Sequence, residues 1–345
     1  MLSYVFSLFD TGEDNVTDIS PIGNGLINST YLVRGKREYV LQKVNTDVFK
    51  DPYSLMDNIS KVCEFLGKNN GSGEYLHFYP ACDGHLYVNN EYGFWRLMDK
   101  LDGCTVDIAD TTALLKVAGR AFGSFARSLE AFPVGELAET IPDFHNTPKR
   151  LEALVEARNK DLSGRYCKAE TLYGKAITLG KNADLIVSAM SDGSVPRRVT
   201  HNDTKISNVV VTNDLKDFVA VIDLDTIMPG SLLYDFGDAQ RTCCAIEAED
   251  NVNIKLNTER FAAFASGYLE SVGDILAERE KELLVFSAFL MTYECGIRFL
   301  TDYLNGDTYF KIKDKEHNLR RASAQLSLAE QILANREELE RALVL

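Results

Sequence analysis

In the first hundred residues apolar and polar side chains alternate over short stretches, Ser29–Val33, Tyr39–Val44, His85–Val88 and Gly93–Met98. A period of two predicts strands, and the turn chemistry between them (Asn24-Gly25, Arg34-Gly35-Lys36 and Asp83-Gly84) predicts tight connections. One helix interrupts the series. Asp51 is placed to cap it, Pro52 fits its first position, Leu55, Ile59, Val62 and Leu66 form one apolar face, and Gly67 marks a stop. Near residue 105 the period changes to helical. A helix capped by Asp110 would turn Leu114, Ala118, Phe122, Phe125 and Leu129 inward and end at Pro133. Further helical patterns cover Pro148–Asn159, Lys168–Met190, Asn257–Val272, Ile275–Tyr303 and Ala322–Leu343.

Between those helices lies a small β segment. The apolar runs Asn208–Thr212 and Phe218–Leu224, broken by Asn213-Asp214-Leu215-Lys216, read as a hairpin. A β-rich beginning and a mostly helical remainder predict an α+β chain of two lobes around a cleft, an N-lobe of residues 1–100 and a C-lobe of residues 101–345. The boundary falls near Met98–Gly103. No internal repeat or low-complexity tract interrupts this plan.

The hairpin brings chemistry to one end. His201-Asn202-Asp203-Thr204-Lys205-Ile206-Ser207-Asn208 has the spacing H-x-D-x-K-x-x-N, and Asp223 ends the apolar strand Val221-Ile222. Phosphoryl transfer from ATP needs a carboxylate that orients the acceptor hydroxyl and takes its proton. It also needs an amide oxygen and a second carboxylate to hold Mg2+ against the phosphates. Asp203, Asn208 and Asp223 supply these three groups. The bland alternative, a loop aspartate beside an ordinary strand pair, accounts for a lone H-x-D but not for all the spacings together.

On the nucleotide side, Ile22-Gly23-Asn24-Gly25-Leu26-Ile27-Asn28-Ser29-Thr30-Tyr31 lies between two predicted strands. Glycines there let backbone N–H groups approach phosphate oxygens, although Gly-x-Gly between strands is also an ordinary hairpin turn. Lys43, in the apolar strand Tyr39–Val44, changes the balance, because a buried ammonium wants an anionic partner. Asp57 and Glu64, both on the polar face of the following helix, compete to pair with it.

Composition narrows the classes. The 345 residues are 45% hydrophobic and 26% charged, an ordinary globular mix, and the net charge of −14 argues against a non-specific nucleic-acid or anionic-membrane binder. The N-terminus lacks the basic start of a signal peptide, and the most apolar stretch, Leu283–Met291, is too short to span a bilayer. Seven irregularly spaced cysteines predict free thiols and a cytoplasmic protein, and Cys243-Cys244 has no second Cys/His pair nearby for a metal site.

With Gly25, Asn28, Thr30-Tyr31, Lys43, His201-x-Asp203-x4-Asn208, Asp223 and Tyr234-Asp235-Phe236-Gly237-Asp238, the chain resembles the aminoglycoside phosphotransferase/choline kinase superfamily, which has the protein-kinase-like fold. Within it, the stretches Asn24–Tyr31, Ile141–Thr147, Thr200–Lys205, Val221–Gly230 and Arg298–Tyr303 resemble bacterial N-acetylhexosamine 1-kinases, which phosphorylate the anomeric hydroxyl of GlcNAc and GalNAc. The resemblance implies Asp203 as catalytic base and Asn208 and Asp223 as Mg2+ ligands. It also puts Gly23, Gly25, Asn28, Thr30, Lys43 and Lys205 on the ATP side.

For the acceptor, the resemblance implies a small-molecule sugar and sets Arg298 near sugar or phosphate, with Tyr309 a weaker candidate. An interhelix salt bridge for Arg298 and a packed ring for Tyr309 are the bland alternatives. His145 reads as structural, and Asp235 as a loop residue bracing the catalytic backbone. Leu26 departs from the family, which has His there. One buried polar contact is worth about 1–3 kcal/mol, enough to change a preference between epimers. The competing readings are a kinase of choline, an aminoglycoside or another sugar, for which the acids Glu247, Glu249, Asp250 and Glu294 come into question, and a catalytically silent pseudokinase.

Overall fold

The alternating stretches pair into one antiparallel sheet. A computed structural model of the chain describes residues 1–12, 14–23, 27–69 and 75–343. In it β1 (Asp18–Pro21), β2 (Ser29–Arg34), β3 (Glu38–Val44), β4 (Val88–Asn90) and β5 (Gly93–Asp99) form a sheet of order β1-β2-β3-β5-β4. Its two faces are covered differently. Tyr39 and Leu41 of β3 and Trp95 and Leu97 of β5 pack with Val5, Phe6 and Phe9 from and beyond the N-terminal helix α1 (Leu2–Phe6). Val40, Val44, Phe94 and Met98 face the other way, toward the long helix α2 (Pro52–Asn69).

Helix α2 begins as its sequence predicts. Asp51 accepts the Ser54 N–H at 3.1 Å, Pro52 is the first helical residue, and Leu55, Ile59, Val62 and Leu66 are buried. It runs past Gly67 rather than stopping there, because Gly67 is where the chain approaches the Tyr75 hydroxyl and a side chain would collide with it. Burial of each such aliphatic side chain is worth about 1.5–3 kcal/mol, so tertiary packing outweighs the roughly 1 kcal/mol helix cost of one glycine.

The rest is mainly helical: α3 (Thr112–Ser128), α4 (Thr147–Lys160), α5 (Tyr166–Leu179) and α6 (Leu185–Ser191), then β6 (Arg198–Thr200), β7 (Val209–Val211), β8 (Phe218–Val221) and β9 (Met228–Gly230). After these come α7 (Leu232–Cys243), α8 (Thr258–Val272), α9 (Glu278–Asn305), α10 (His317–Ala334) and α11 (Arg336–Ala342). Thr111 caps α3 in place of Asp110, its hydroxyl accepting the Leu114 N–H. The pattern over Lys168–Met190 divides into α5 and α6 around a 3-10 turn at Gly180–Asn182, where a Cβ would meet the Tyr293 hydroxyl. Gly119 and Gly267 let α3 and α8 touch backbone to backbone.

Helix α9 is the core of the helical part and longer than its most apolar stretch suggests. Its 28 residues include an 18-residue stretch of mean hydropathy 1.5, long and apolar enough to cross a membrane, but 89% of that stretch is buried inside the protein. It is the central packing helix, with Leu284, Ala288, Ile297, Leu300 and Leu304 wholly inaccessible. The seven cysteines are free, and burial pushes the Cys243 and Cys244 thiols up to about 11 and about 12.

Candidate active site

The predicted hairpin is present. β7 and β8 pair antiparallel, with Val209 opposite Val221, and the Ile222 N–H donates to the Asn208 carbonyl at 2.9 Å. That last rung puts Asn208 and Asp223 at one end. Asp223 takes a left-handed backbone (φ 63°), which an aspartate tolerates better than most residues and which turns the chain out of the strand.

His201 ties the catalytic loop to the same place. Its Nε2 donates to the Ile222 carbonyl at 2.9 Å, and its Nδ1 accepts the Asp203 N–H at 3.3 Å. The ring is fully buried, with Phe122 and Phe125 presented edge-on to it. From below, Asp235 accepts the N–H groups of His201 (2.9 Å) and Asn202 (2.7 Å), and Asp238 accepts that of Thr204 (3.1 Å) while bound to Arg241. Asp235 does this from the first turn of α7 rather than from a loop: the Ser231 cap starts the helix four residues earlier. Burial pushes the Asp235 carboxyl up, against the two N–H groups that favour its charge.

Asp203 is partly exposed at the head of this scaffold. Lys205 Nζ lies 2.8 Å from its Oδ2, and the Asn208 amide nitrogen donates to its carbonyl at 2.8 Å and to Oδ2 at 3.1 Å. Burial works against the carboxylate, but the Lys205 charge and these hydrogen bonds outweigh it and hold Asp203 below the usual range. It is therefore ionised at neutral pH and able to accept a proton. With the Asn208 nitrogen engaged by Asp203, its amide oxygen is the atom left for a cation.

The acids beyond the hairpin are crowded. Asp223 is pushed up to about 6, first by burial and then by the charges of Asp225 and Asp203. Oδ1 of Asp225, a buried carboxylate, has no aligned hydrogen-bond donor. Arg96 of β5 lies 2.5 Å from that oxygen, so the carboxylate left for a divalent cation is that of Asp223. Among the described residues no three His, Cys, Asp or Glu side chains converge to hold a metal by themselves. The residues present suit a hard ion of the Mg2+ kind, which is held by one or two protein oxygens with water and phosphate oxygens completing its shell.

Lys43 is not on this side of the sheet. It has the parity of Tyr39 and Leu41, lies over the Trp95 ring at 5.8 Å and crosses Gly93. Both acids expected to pair with it are engaged elsewhere, Asp57 with Lys61 (2.7 Å) and Glu64 with Lys68 (2.6 Å), each one helical turn on. The residue facing the metal loop from β3 is Gln42. Its amide nitrogen donates to the Thr30 hydroxyl at 3.0 Å, and its oxygen accepts from Arg96 of β5. Asn28 spans the cleft, accepting the Asn45 N–H at 2.9 Å and donating to Asp225 at 2.6 Å. Gly23 has a left-handed backbone (φ +74°) with open space around it, whereas Gly25 and Leu26 lie outside the described residues.

Near the catalytic loop a cavity of about 150 Å³ is lined by Asn202, Phe144, His145, Met228 and Tyr234 among others. A larger depression, about 580 Å³, between α4 and residues 180–184 contains none of the residues above. His145 Nδ1 donates to Glu294 at 2.9 Å, and its Nε2 is buried without a partner. Glu294 is thus wholly buried and not on a solvated face; despite burial, His145, Arg298 and Thr147 hold its carboxyl below the usual range. Arg298 lies between Phe144 (5.8 Å) and Phe310 (5.7 Å) with no salt bridge among the described residues. Arg150 is close by. Burial first, and repulsion from Arg298 second, hold its pKa down. Tyr309 is 65% exposed, with Phe310 at its edge, so its ring is not packed in the core.

A two-part fold with an H-x-D-x-K-x-x-N loop and a carboxylate at the end of the following hairpin defines a kinase-like phosphotransferase. The chain belongs to the phosphotransferase enzyme family, whose pattern it matches over residues 18–278. Three solved structures show the same fold. A microcompartment-associated aminopropanol kinase is 18% identical with a TM-score of 0.66, covering 99% of this chain and 98% of its own. A spectinomycin phosphotransferase in complex with ADP and spectinomycin is 14% identical with a TM-score of 0.63, covering 97% and 98%. An amicoumacin kinase in complex with AMP-PNP, Ca2+ and Ami is 11% identical with a TM-score of 0.61, covering 94% and 91%.

Proposed function

We propose that this phosphotransferase is an ATP- and Mg2+-dependent kinase of a small neutral acceptor, and that the acceptor is the anomeric hydroxyl of an N-acetylhexosamine such as GlcNAc or GalNAc. The observation that carries the acceptor class is the arginine pair around Phe144. Neither Arg150 nor Arg298 has a carboxylate at ion-pair distance among the described residues, in a chain with a net charge of −14. Choline, ethanolamine and aminoglycosides are cations and call for carboxylates or an aromatic cage. Three of the four acids in question for such a site are engaged by cationic or imidazole groups, Glu249 by Arg321 at 3.1 Å, Asp250 by His317 at 3.2 Å and Glu294 by His145, and Glu247 accepts the Lys255 N–H at 3.4 Å. Guanidinium forks beside aromatic rings suit a sugar, whose hydroxyl and amide oxygens accept hydrogen bonds while its C–H faces stack.

Asp203 orients the acceptor hydroxyl and takes its proton as the bond to the γ-phosphorus forms. Lys205, held on the same carboxylate, offsets charge on the phosphoryl oxygens. Bound at Asn208 and Asp223, Mg2+ would supply further neutralisation of the phosphates. Asp203 lies within hydrogen-bond reach of both Lys205 and Asn208, which favours a working kinase over a silent pseudokinase. An amino-alcohol acceptor is the second reading, supported by the similarity to the aminopropanol kinase.

ADP release measured with GlcNAc, GalNAc, choline, ethanolamine and an aminoglycoside separates the two. The hexosamines are expected to exceed the amines in kcat/KM by at least about 10-fold, a difference of 1.4 kcal/mol in transition-state binding. The reverse order would move the acceptor and leave the kinase.

A further inference from the structure

We propose that Arg96, on β5, is the positioning residue that fixes the Asp223–Asp225 loop for the metal–nucleotide complex, in a fold where protein kinases use a β3 lysine. The inference rests on membership of the phosphotransferase family and not on the identity of the acceptor. Four observations converge on Arg96. The β3 lysine, Lys43, is on the opposite face of the sheet, against Trp95. The side chain that does face the cleft from β3, Gln42, is neutral, and its oxygen receives both Arg96 Nε (2.9 Å) and Nη2 (2.6 Å).

The Arg96 guanidinium is only 2% exposed and lies 2.5 Å from Asp225, two residues beyond Asp223. Nε and Nη2 donate to Gln42 and Nη1 faces the Met56 sulfur, so Arg96 meets Asp225 Oδ1 as an ion pair and not through an aligned hydrogen bond. Asn28 holds the other Asp225 oxygen.

A buried cation bracketed by a neutral amide has one carboxylate partner, and that partner belongs to the loop that carries Asp223. The arrangement fixes the loop's distance from the sheet and counters the Asp223–Asp225 repulsion before a metal–nucleotide complex arrives. Arginine suits the task better than lysine, because its planar fork grips Gln42 while the same nitrogen faces Asp225.

Calorimetric binding of Mg·AMP-PNP, and separately of adenosine without metal, tests this in Arg96→Met and Arg96→Lys, with thermal unfolding as the fold control. Arg96→Met is expected to weaken Mg·AMP-PNP by at least about 10-fold and to change adenosine binding less than about 3-fold, and Arg96→Lys to fall between it and the wild type. Unchanged Mg·AMP-PNP binding in a folded Arg96→Met protein overturns the proposal. So does equal weakening of adenosine, which would mark general damage to the cleft. Where Arg96→Met does not fold, Arg96→Lys decides: a selective loss for the metal complex upholds the assignment, and wild-type binding of both ligands overturns it.

Discussion

His201 and Ile222 are joined by a hydrogen bond of 2.9 Å from the imidazole Nε2 to the backbone carbonyl, and it ties the loop from His201 to Asn208 to the strand end that carries Asp223. The other ring nitrogen accepts the Asp203 N–H, so each ring nitrogen holds one of the two segments. His201→Ala removes both contacts and leaves a cavity beside Phe122 and Phe125. It is expected to cost about 2–4 kcal/mol of stability, the scale of a buried large-to-small change with lost hydrogen bonds, read by denaturant unfolding. kcat should fall further than KM rises; an unchanged kcat in the folded variant would detach the histidine from catalysis.

Asp203→Asn keeps the shape and removes the proton acceptor. kcat is expected to fall by at least about 10²-fold, the usual scale for loss of a general base, while nucleotide binding stays within a few-fold. Wild-type turnover in the purified variant would take Asp203 out of the reaction.

Lys43→Ala tests which face of β3 meets the nucleotide. With its ammonium over Trp95, the substitution should leave KM for ATP within about 2-fold and lower stability by no more than about 1 kcal/mol, the value of one exposed cation–π contact. A KM rise beyond about 10-fold would return the phosphate role to Lys43.

Asp223 makes a pH signature. Its folded value of about 6 lies above the ordinary 3.8, so between those values the folded metal-free protein binds the extra proton. This group's contribution to stability is therefore full at low pH and is lost as pH rises through about 6. A divalent cation needs the deprotonated carboxylate, which reverses the trend. The rise in Tm on adding Mg2+ is expected to be larger at pH 7.5 than at pH 5 in the wild type, and to lose that dependence in Asp223→Asn. Equal Mg2+ shifts at both pH values would contradict the assignment.

What could be read from the chain alone tracks how local its cause was. The hairpin from Asn208 to Asp223 was legible because period-two runs on either side of a turn set their own register, and the loop spacings followed. The face of β3 was not, because Gln42 and Lys43 are neighbours in one apolar strand and the sheet's orientation depends on Val5, Phe6 and Phe9 packing from the far N-terminus. Arg96, between Trp95 and Leu97, is like Lys43 a charge in an apolar strand, and it is the more deeply buried of the two. Asp235 was expected in a loop because the cap at Ser231 is a single weak signal. Arg150 carried no local sign at all: its place beside Arg298, with its guanidinium on the Phe144 carbonyl, exists only where α4 meets α9.

The most direct test of the acceptor assignment is phosphorus NMR of the products formed from ATP and Mg2+ with GlcNAc and, in parallel, with its 1-O-methyl glycoside. The anomeric hydroxyl is the one sugar hydroxyl missing from the glycoside, and a methyl cap removes both the nucleophile and the proton that Asp203 accepts. The account predicts a 1-phosphate from the free sugar and no product from the glycoside. Equal turnover of the two, or turnover of neither beside rapid phosphorylation of an amino alcohol, would contradict it.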